Sequence, residues 1–313
     1  MTDLPQAQHN FFPHFDSAPL ACVREQVAVA LQRSISALSD AVAPVPGGRA
    51  QALQDAALHL QQAGSALQTA NVEGAALLTQ AAQLALRRFA DGALACSAEH
   101  AQTVSDLVHA LSDYLDQVLS GAPAQPVRLF PYYRALQAML GSARIHPADL
   151  FFPDLTLKVV IAPADRLIAT DYPVWRQRFE QSLLPFLTDG ALAAQHAGVL
   201  RDVVAQVAQA QTEAPARTFW CALLGFAELV AGGQLAGSLY VKQLFGLINL
   251  QMRRQSQGAC DLPESMLRDA LFSSRSMNRR SMQQCMQQGR ALRPCSNCCR
   301  ATGWPARCRL TSN

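Results

Sequence analysis

Residues 20–42 read LACVREQVAVALQRSISALSDAV, and this stretch decides the fold of the first half of the chain. Its large apolar residues recur at spacings of three and four, so they share one face of a helix: Leu20, Val23, Val27, Leu31, Ile35, Leu38 and Val42. Pro19 suits the first turn of this helix, and Pro44 with Pro46-Gly47-Gly48 ends it. The stretch therefore predicts an amphipathic helix that needs partner helices to cover its apolar face.

Three further segments with helical periodicity follow at short intervals. The second covers about residues 49–70, with leucines seven apart at Leu53, Leu60 and Leu67, and the third covers 73–89. The fourth begins after Ser97, a good N-cap, and Glu99 lies in its first turn. Because short loops favour antiparallel neighbours, residues 17–120 are predicted to form an up-and-down four-helix bundle.

The second half of the chain also has a helical pattern. Residues 1–16 are expected to be disordered. After the bundle, we expect a linker with a short helix at 121–154. A second helical domain is expected at 155–272. A brief apolar, β-branched stretch at 155–162 can be extended, and five helices follow, at about 174–184, 191–211, 215–231, 235–252 and 263–272. Pro185 is expected to limit the first of these five. The predicted fold class is all-α, with two helical bundle domains.

The composition changes abruptly after Phe272. Residues 273–313 contain eight arginines, five of the nine cysteines, and no lysine, aspartate or glutamate. The residues before them carry 18 basic and 23 acidic side chains, a net charge of −5, so the mild basicity of the whole chain belongs to this tail. With suitable synonymous codons, another reading frame from the Phe272 codon encodes an ordinary amphipathic segment. We therefore expect 273–313 to be a disordered, frameshifted tail.

Several functional classes have no support in the sequence. There is no GxGxxG, GxxxxGK[ST] or HExxH motif, no kinase core or ATP-binding motif, and no cofactor is expected. The acidic N-terminus lacks the apolar region of a signal peptide, and Gly232-Gly233 divides the apolar stretch 219–241, so no membrane span is expected. The scattered cysteines of the body fit a reducing compartment. These features predict a cytoplasmic protein that does not bind nucleic acid.

The histidines of the bundle are the remaining candidates for chemistry. An exposed imidazole on a helix can accept a phosphoryl group, and phosphotransfer domains are four-helix bundles with small residues just after that histidine. The segment from Asp55 to Ala66 contains His59 and Gly64 and has this character. The alternative is that His59 is a surface histidine of the helix with no catalytic role.

Two motifs after the bundle carry a family resemblance. They are Leu129-Phe-Pro-Tyr-Tyr-Arg134 and Ile145-His-Pro-Ala-Asp-Leu150, supported by the end of the fourth helix (Tyr114-Leu115, Val118-Leu119), by Thr218-Phe-Trp220 and by Tyr240-Val-Lys242. Residues 20–272 resemble the N-terminal region of the ChpA/PilL histidine kinases, CheA-related proteins of type IV pilus twitching motility, and the related scaffold FimL. The resemblance does not include the tail.

The phosphotransfer motif of this chain departs from the pattern that the resemblance implies. Gly64 lies five positions after His59, one too far, and no lysine lies between them. Alignment on Ser65-Ala66-Leu67 places Gln61 at the histidine position, and glutamine cannot accept phosphate. The first domain is therefore interpreted as a degenerate phosphotransfer (Hpt)-like bundle, with His59 a weak phosphoacceptor candidate.

The resemblance implies an interaction site on the segment after the bundle. The candidate residues are Phe130, Tyr132, Tyr133, Arg134, His146 and Asp149. Exposed aromatic side chains anchor many interfaces. The alternative is a hydrophobic clamp between the two helical domains, since tyrosine often buries its ring and keeps its hydroxyl in water.

The sequence supports one leading function and two alternatives. The leading one is a non-catalytic scaffold, the N-terminal fragment of a ChpA/PilL-like kinase, with response regulators and pilus-signalling proteins as partners. The first alternative is a phosphorelay in which His59 is phosphorylated. The second treats the tail as native: Cys295 and Cys298 have CxxC spacing, a weak zinc signal without a second ligand pair.

Overall fold

The computed structural model describes residues 15–43, 48–153, 171–190 and 192–274. The chain separates into two compact units, Met1–Asp154 and Leu155–Asn313. Within the described residues all regular secondary structure is helical, which confirms the predicted all-α class. The stretch 155–162, expected to be extended, lies outside the described residues, as do the tail from 275 onward and the segment 1–14.

Four long helices form the body of the first unit: α1 (Ala18–Val42), α2 (Arg49–Thr69), α3 (Glu73–Ala90) and α4 (Ala98–Leu119). Consecutive helices pack on each other, and α4 packs back on α1, so the bundle is closed. The four predicted helices are confirmed to within about two residues at each end. Ser97 is the N-cap of α4 as expected, since its side chain accepts a hydrogen bond from the His100 amide at 3.1 Å.

Small residues bring α2 close to both of its neighbours. On the α1 side, the Ser34 hydroxyl donates to the Ala56 carbonyl at 3.0 Å. On the α3 side, Gly64 is buried, and a Cβ added to it would lie 2.7 Å from Thr79 Oγ1. That separation is shorter than real Cβ contacts, so only glycine fits at position 64 in this packing. The contact fixes the face of α2 that points into the bundle.

An ion pair at the surface joins the first helix of the bundle to the last. Arg24 of α1 contacts Asp116 of α4 at 2.7 Å and also donates to the Ser112 hydroxyl at 3.1 Å. The hydrogen bond from Arg24 holds the pKa of the Asp116 carboxyl below its usual range. Because the Asp116 side chain is 61% exposed, solvent screens the pair, and we expect it to fix the α1–α4 register more than to add stability.

The segment 121–154, expected as a linker with a short helix, contributes to the core of the first unit. It contains two 3₁₀ turns, η1 (Pro126–Leu129) and η2 (Pro147–Leu150), on either side of α5 (Phe130–Met139). Its buried side chains belong to the same apolar cluster as those of α1–α4: Leu129, Tyr133, Leu136, Leu140 and Leu150. Arg88 of α3 donates to the carbonyl of Leu140 at 2.7 Å, which helps to hold the end of α5.

The second unit contains α6 (Tyr172–Thr188), α7 (Ala193–Gln209), α8 (Ala214–Ala231) and α9 (Leu239–Ser256), followed by helical residues 264–274. The expectation that Pro185 ends the first of these helices is wrong, because α6 continues to Thr188. A proline lacks an N–H donor and crowds the carbonyl four residues before it, but its own carbonyl can still accept. The Asp189 amide donates to the Pro185 carbonyl at 2.8 Å, so the helix continues for three residues past the proline.

Phe245 of α9 lies at the centre of the second core. Its ring centroid is 5.1 Å from Phe186 of α6, 5.1 Å from Phe226 of α8 and 6.2 Å from Phe179 of α6. The apolar stretch 219–241 is divided between α8 and α9 by a turn in which Gly233 has φ +68°. Among the described helices none has the length and hydropathy required to cross a bilayer.

We predict that Gly64→Ala destabilises the first unit although alanine is the better helix former. The added methyl group overlaps Thr79 Oγ1, and overpacking of a tight core costs roughly 1–3 kcal/mol. In a Thr79→Ala background the same change should be neutral or stabilising, because only Thr79 Cβ, at 3.5 Å, would have remained in contact. Chemical denaturation followed by far-UV circular dichroism measures this double-mutant cycle. Equal effects of Gly64→Ala in both backgrounds would contradict the contact.

Candidate functional site

The outward face of α2 contains the sequence-predicted phosphoacceptor. His59 is half-buried and immediately precedes Leu60, which is fully buried. Consecutive side chains on a helix differ by about 100° in direction, so His59 lies on the flank of α2 and not on its outermost row. Its Nδ1 is 3.3 Å from the side-chain oxygen of Gln62. A partner's active site would therefore have limited access to this imidazole.

Gln61, the alternative position for the acceptor, lies on the opposite flank of α2. The side-chain amide of Gln83 on α3 donates to the Gln61 side-chain oxygen at 3.3 Å and to the Ala57 carbonyl at 3.4 Å. Gln61 is exposed but is tied to α3 by this contact. The Gln61–Gln83 pair could not be predicted from the sequence, because the two residues are 22 positions apart in the chain.

Gly64 does not have the position that a phosphotransfer partner requires. In the phosphotransfer motif a glycine lets the partner's loop approach the helix. Here Gly64 is buried against Thr79, on the inward face of α2. In this bundle, therefore, the glycine packs α2 on α3, and the histidine lies on a flank of α2.

A shallow groove of about 490 Å³ runs along the surface formed by α1 and α2. Its lining residues are all uncharged: Val23, Gln26, Leu58, Gln61, Gln62, Ser65, Ala66 and Thr69. Leu58 is 51% exposed although it is a large apolar side chain. Sequence reasoning missed this groove. One signal was present, since Leu58 lies outside the Leu53, Leu60 and Leu67 row of its helix.

The two motifs that carry the family resemblance meet in space. His146 is 3% exposed and is the N-cap of η2, where its Nδ1 accepts a hydrogen bond from the Ala148 amide at 3.0 Å. The Asp149 carboxylate accepts from the His146 amide at 3.0 Å, which completes a capping box. Asp149 also accepts a hydrogen bond from the Tyr133 side chain of α5 and lies 3.6 Å from Arg144. The sequence motif is thus a local hydrogen-bond network.

Burial determines the titration of this network. It lowers the pKa of His146 to about 4, with a further contribution from the Arg144 charge, so the imidazole is neutral near pH 7. It also raises the pKa of Tyr133 to about 12, helped by the charge of Asp149. Because Nδ1 accepts the Ala148 hydrogen bond, neutral His146 carries its proton on Nε2.

The six predicted interaction residues divide into a buried set and a surface set. Tyr133 and His146 are buried, and Asp149 is half-buried between them. On the surface, Tyr132 is 41% exposed, Arg134 is exposed, and Phe130 is half-buried with its ring 6.4 Å from that of Tyr133. Only the surface set is available to a partner.

The residues of the second unit that support the resemblance also make contacts that stabilise the fold. Lys242 donates to the Leu187 carbonyl at 2.7 Å and so satisfies the C-terminal end of α6. Trp220 is fully buried, with its ring edge-on to Phe219 at 5.7 Å. In the described part of the chain no His, Cys, Asp and Glu side chains group closely enough to hold a metal ion. Cys295 and Cys298 lie outside the described residues.

Residues 165–285 match the family model described as the FimL scaffold protein second domain. This match confirms the predicted resemblance to FimL over that part of the chain, and it extends beyond Phe272. No curated protein and no solved structure shows a significant match to the chain.

We predict that acid weakens the first unit through His146. Its pKa in the folded protein lies below the value near 6.5 of an unfolded chain, so the unfolded state binds more protons between these values. The stabilisation is complete above about pH 6.5 and is lost as the pH falls towards 4. A shift of this size corresponds to about 3 kcal/mol. Hydrogen exchange of peptides covering 133–150 measures the change, because residues 1–154 contain no tryptophan that could serve as a local probe.

The matched control is His146→Asn. Asparagine can accept the Ala148 amide hydrogen bond at an N-cap but does not titrate. The variant should therefore lose less protection between pH 7 and pH 4.5 than the wild type does. The same acid sensitivity in both proteins would show that another group is responsible.

Proposed function

We propose that this chain is a non-catalytic scaffold of type IV pilus signalling, related to FimL and to the N-terminal region of the ChpA/PilL kinases. The observation that carries the proposal is the match of residues 165–285 to the second domain of the FimL scaffold. That match supports a role in bringing signalling proteins together. The resemblance of the first unit to the same proteins extends the proposal to the twitching-motility pathway.

The geometry of α2 favours docking over phosphotransfer in the first unit. The bundle keeps a groove along α1 and α2, with the exposed Leu58 as an apolar anchor and hydrogen-bonding side chains around it. His59 lies on the flank of this helix, and Gly64 is buried. A degenerate phosphotransfer bundle of this kind binds a two-component partner without accepting its phosphoryl group.

The chemistry of the groove indicates how the partner is bound. All its lining residues are uncharged, so binding should depend on apolar contact and neutral hydrogen bonds and should vary little with salt. We infer that response-regulator receiver domains of pilus signalling are the partners. Tyr132 and Arg134, on the surface of α5, provide a second candidate contact for another signalling protein.

The alternative function is a phosphorelay through His59. It requires the half-buried imidazole to become accessible and the Gln62 contact to open. The two functions differ in one chemical observable, an acid-labile phosphate on His59. They also differ in how binding depends on this residue.

We predict that the full chain binds a pilus-signalling receiver domain and that His59→Gln binds it equally well. Leu58→Arg should weaken binding by at least about tenfold, because it places a charge in the uncharged groove. Isothermal titration calorimetry with purified receiver domains measures both effects. Leu84→Arg is the matched control, since Leu84 is a similarly exposed leucine (44%) on α3.

The same proteins test the alternative. Incubation of the chain with a phosphorylated receiver or with its kinase and ATP should give no acid-labile phosphate on the chain. Phosphate that appears in the wild type and is absent from His59→Gln would establish the phosphorelay instead. A failure of every receiver domain of the pathway to bind would overturn the scaffold proposal for the first unit.

A further inference from the structure

Two glutamines of α2 lie beside the exposed leucine of the groove. Gln61 and Gln62 come three and four positions after Leu58, so the three side chains are neighbours on the surface of the helix. All three line the α1–α2 groove. A glutamine side chain has an oxygen acceptor and an NH₂ donor. Which of the two a partner meets depends on how the amide is held.

Gln83 of α3 determines the orientation of the Gln61 amide. The NH₂ group of Gln83 lies 3.4 Å from the carbonyl oxygen of Ala57, which can only accept a hydrogen bond. Gln83 therefore turns its NH₂ group, and not its oxygen, towards α2. The same NH₂ group lies 3.3 Å from the side-chain oxygen of Gln61. The Gln61 oxygen is thus engaged inside the unit, and its NH₂ group is left for the groove.

His59 holds the Gln62 amide in the same sense. The side-chain oxygen of Gln62 lies 3.3 Å from Nδ1 of His59. Because an amide oxygen only accepts, Nδ1 carries the proton and donates in this contact. The Gln62 NH₂ group is then also left for the groove. His59→Gln keeps an N–H donor at this position, which agrees with the unchanged binding expected for that variant.

We propose that Gln61 and Gln62 select a partner surface in which backbone carbonyl oxygens lie beside an apolar side chain. The inference rests on the proposed binding of a receiver domain and specifies the chemistry of that contact. The two NH₂ groups donate to the carbonyl oxygens, and Leu58 contacts the apolar side chain. Gln83 does not line the groove and acts through Gln61, as a positioning residue.

The lining of the groove favours a neutral acceptor over a charged one. A carboxylate of the partner would lose hydration in the contact, and none of the residues that line the groove carries a positive charge to compensate for that loss. Backbone carbonyls are neutral, and adjacent ones are unpaired where a helix ends. Two donors on neighbouring residues therefore fit the carbonyl groups at the end of a partner helix.

Isothermal titration calorimetry of the full chain with a purified receiver domain tests the donors. Gln61→Glu replaces the NH₂ group with an oxygen and keeps an acceptor for Gln83. It should weaken binding at least about tenfold, because a partner carbonyl would face an oxygen and stay unpaired. Gln68→Glu is the matched control, since it adds the same charge to an exposed position of α2 outside the groove, and it should bind like the wild type.

Gln83→Met tests the positioning role. Methionine has a similar length but no donor, so the Gln61 amide must be ordered by the partner, and binding should weaken about threefold. In a Gln61→Ala background Gln83→Met should have no further effect, because no amide remains to be oriented. Gln80→Met is the control at an exposed glutamine of the same helix and should leave binding unchanged. Circular dichroism confirms that each variant is folded.

The outcomes separate this inference from the function on which it rests. If the wild type binds no receiver domain, both fail. If the wild type binds and Gln61→Glu binds as tightly as Gln68→Glu, the proposed function stands and the donor assignment is overturned. A loss from Gln83→Met that persists in the Gln61→Ala background would overturn the positioning role. A steep fall of affinity with rising salt would show a charged acceptor and overturn the neutral one.

Discussion

The contact between Gly64 and Thr79 determines what the first unit can present to a partner. A side chain at position 64 would lie 2.7 Å from Thr79 Oγ1, so α2 packs on α3 at this distance with the bare face of Gly64 against Thr79. This packing turns Leu60 and Leu67 inward and Leu58 outward. It also leaves His59 on a flank of the helix. The packing of α2 therefore determines which of its side chains a partner can reach, whatever the chemical properties of the His59 imidazole.

Much of the fold could be predicted from the sequence, because helical periodicity and caps are local properties. The row from Leu20 to Leu38 and the Ser97 cap identified helices whose ends agree with the structure to within about two residues. Pro185 was misjudged because this helix continues for three residues past its proline, and helix ends are poorly defined by sequence alone. The α1–α2 groove was not predictable in this way. It depends on the register of two helices, and that register depends on contacts such as Ser34 with Ala56.

The motifs that carry the family resemblance have a structural role in this chain. His146 and Asp149 cap a 3₁₀ turn, and Tyr133 of the other motif bonds to the same carboxylate. A histidine with a pKa of about 4 is a neutral hydrogen-bond acceptor near pH 7 and is poorly suited to proton transfer. Lys242 similarly satisfies the end of α6. Such residues are good markers of the fold because several contacts depend on each of them, and for the same reason they are weak guides to a binding site.

Two glycines that lie inside helices differ in the packing around them. Gly64 and Gly246 each lie inside a helix, at a position where alanine would favour the helix more. Inside the first unit, Thr79 accounts for the absence of a side chain at 64; around Gly246 the space is open. The contact with Thr79 is by itself a sufficient reason for a glycine at position 64. Around Gly246 no such contact exists, so the packing of the second unit does not require a glycine there. The packing around a glycine, and not its place in a motif, therefore shows whether the fold itself requires that residue.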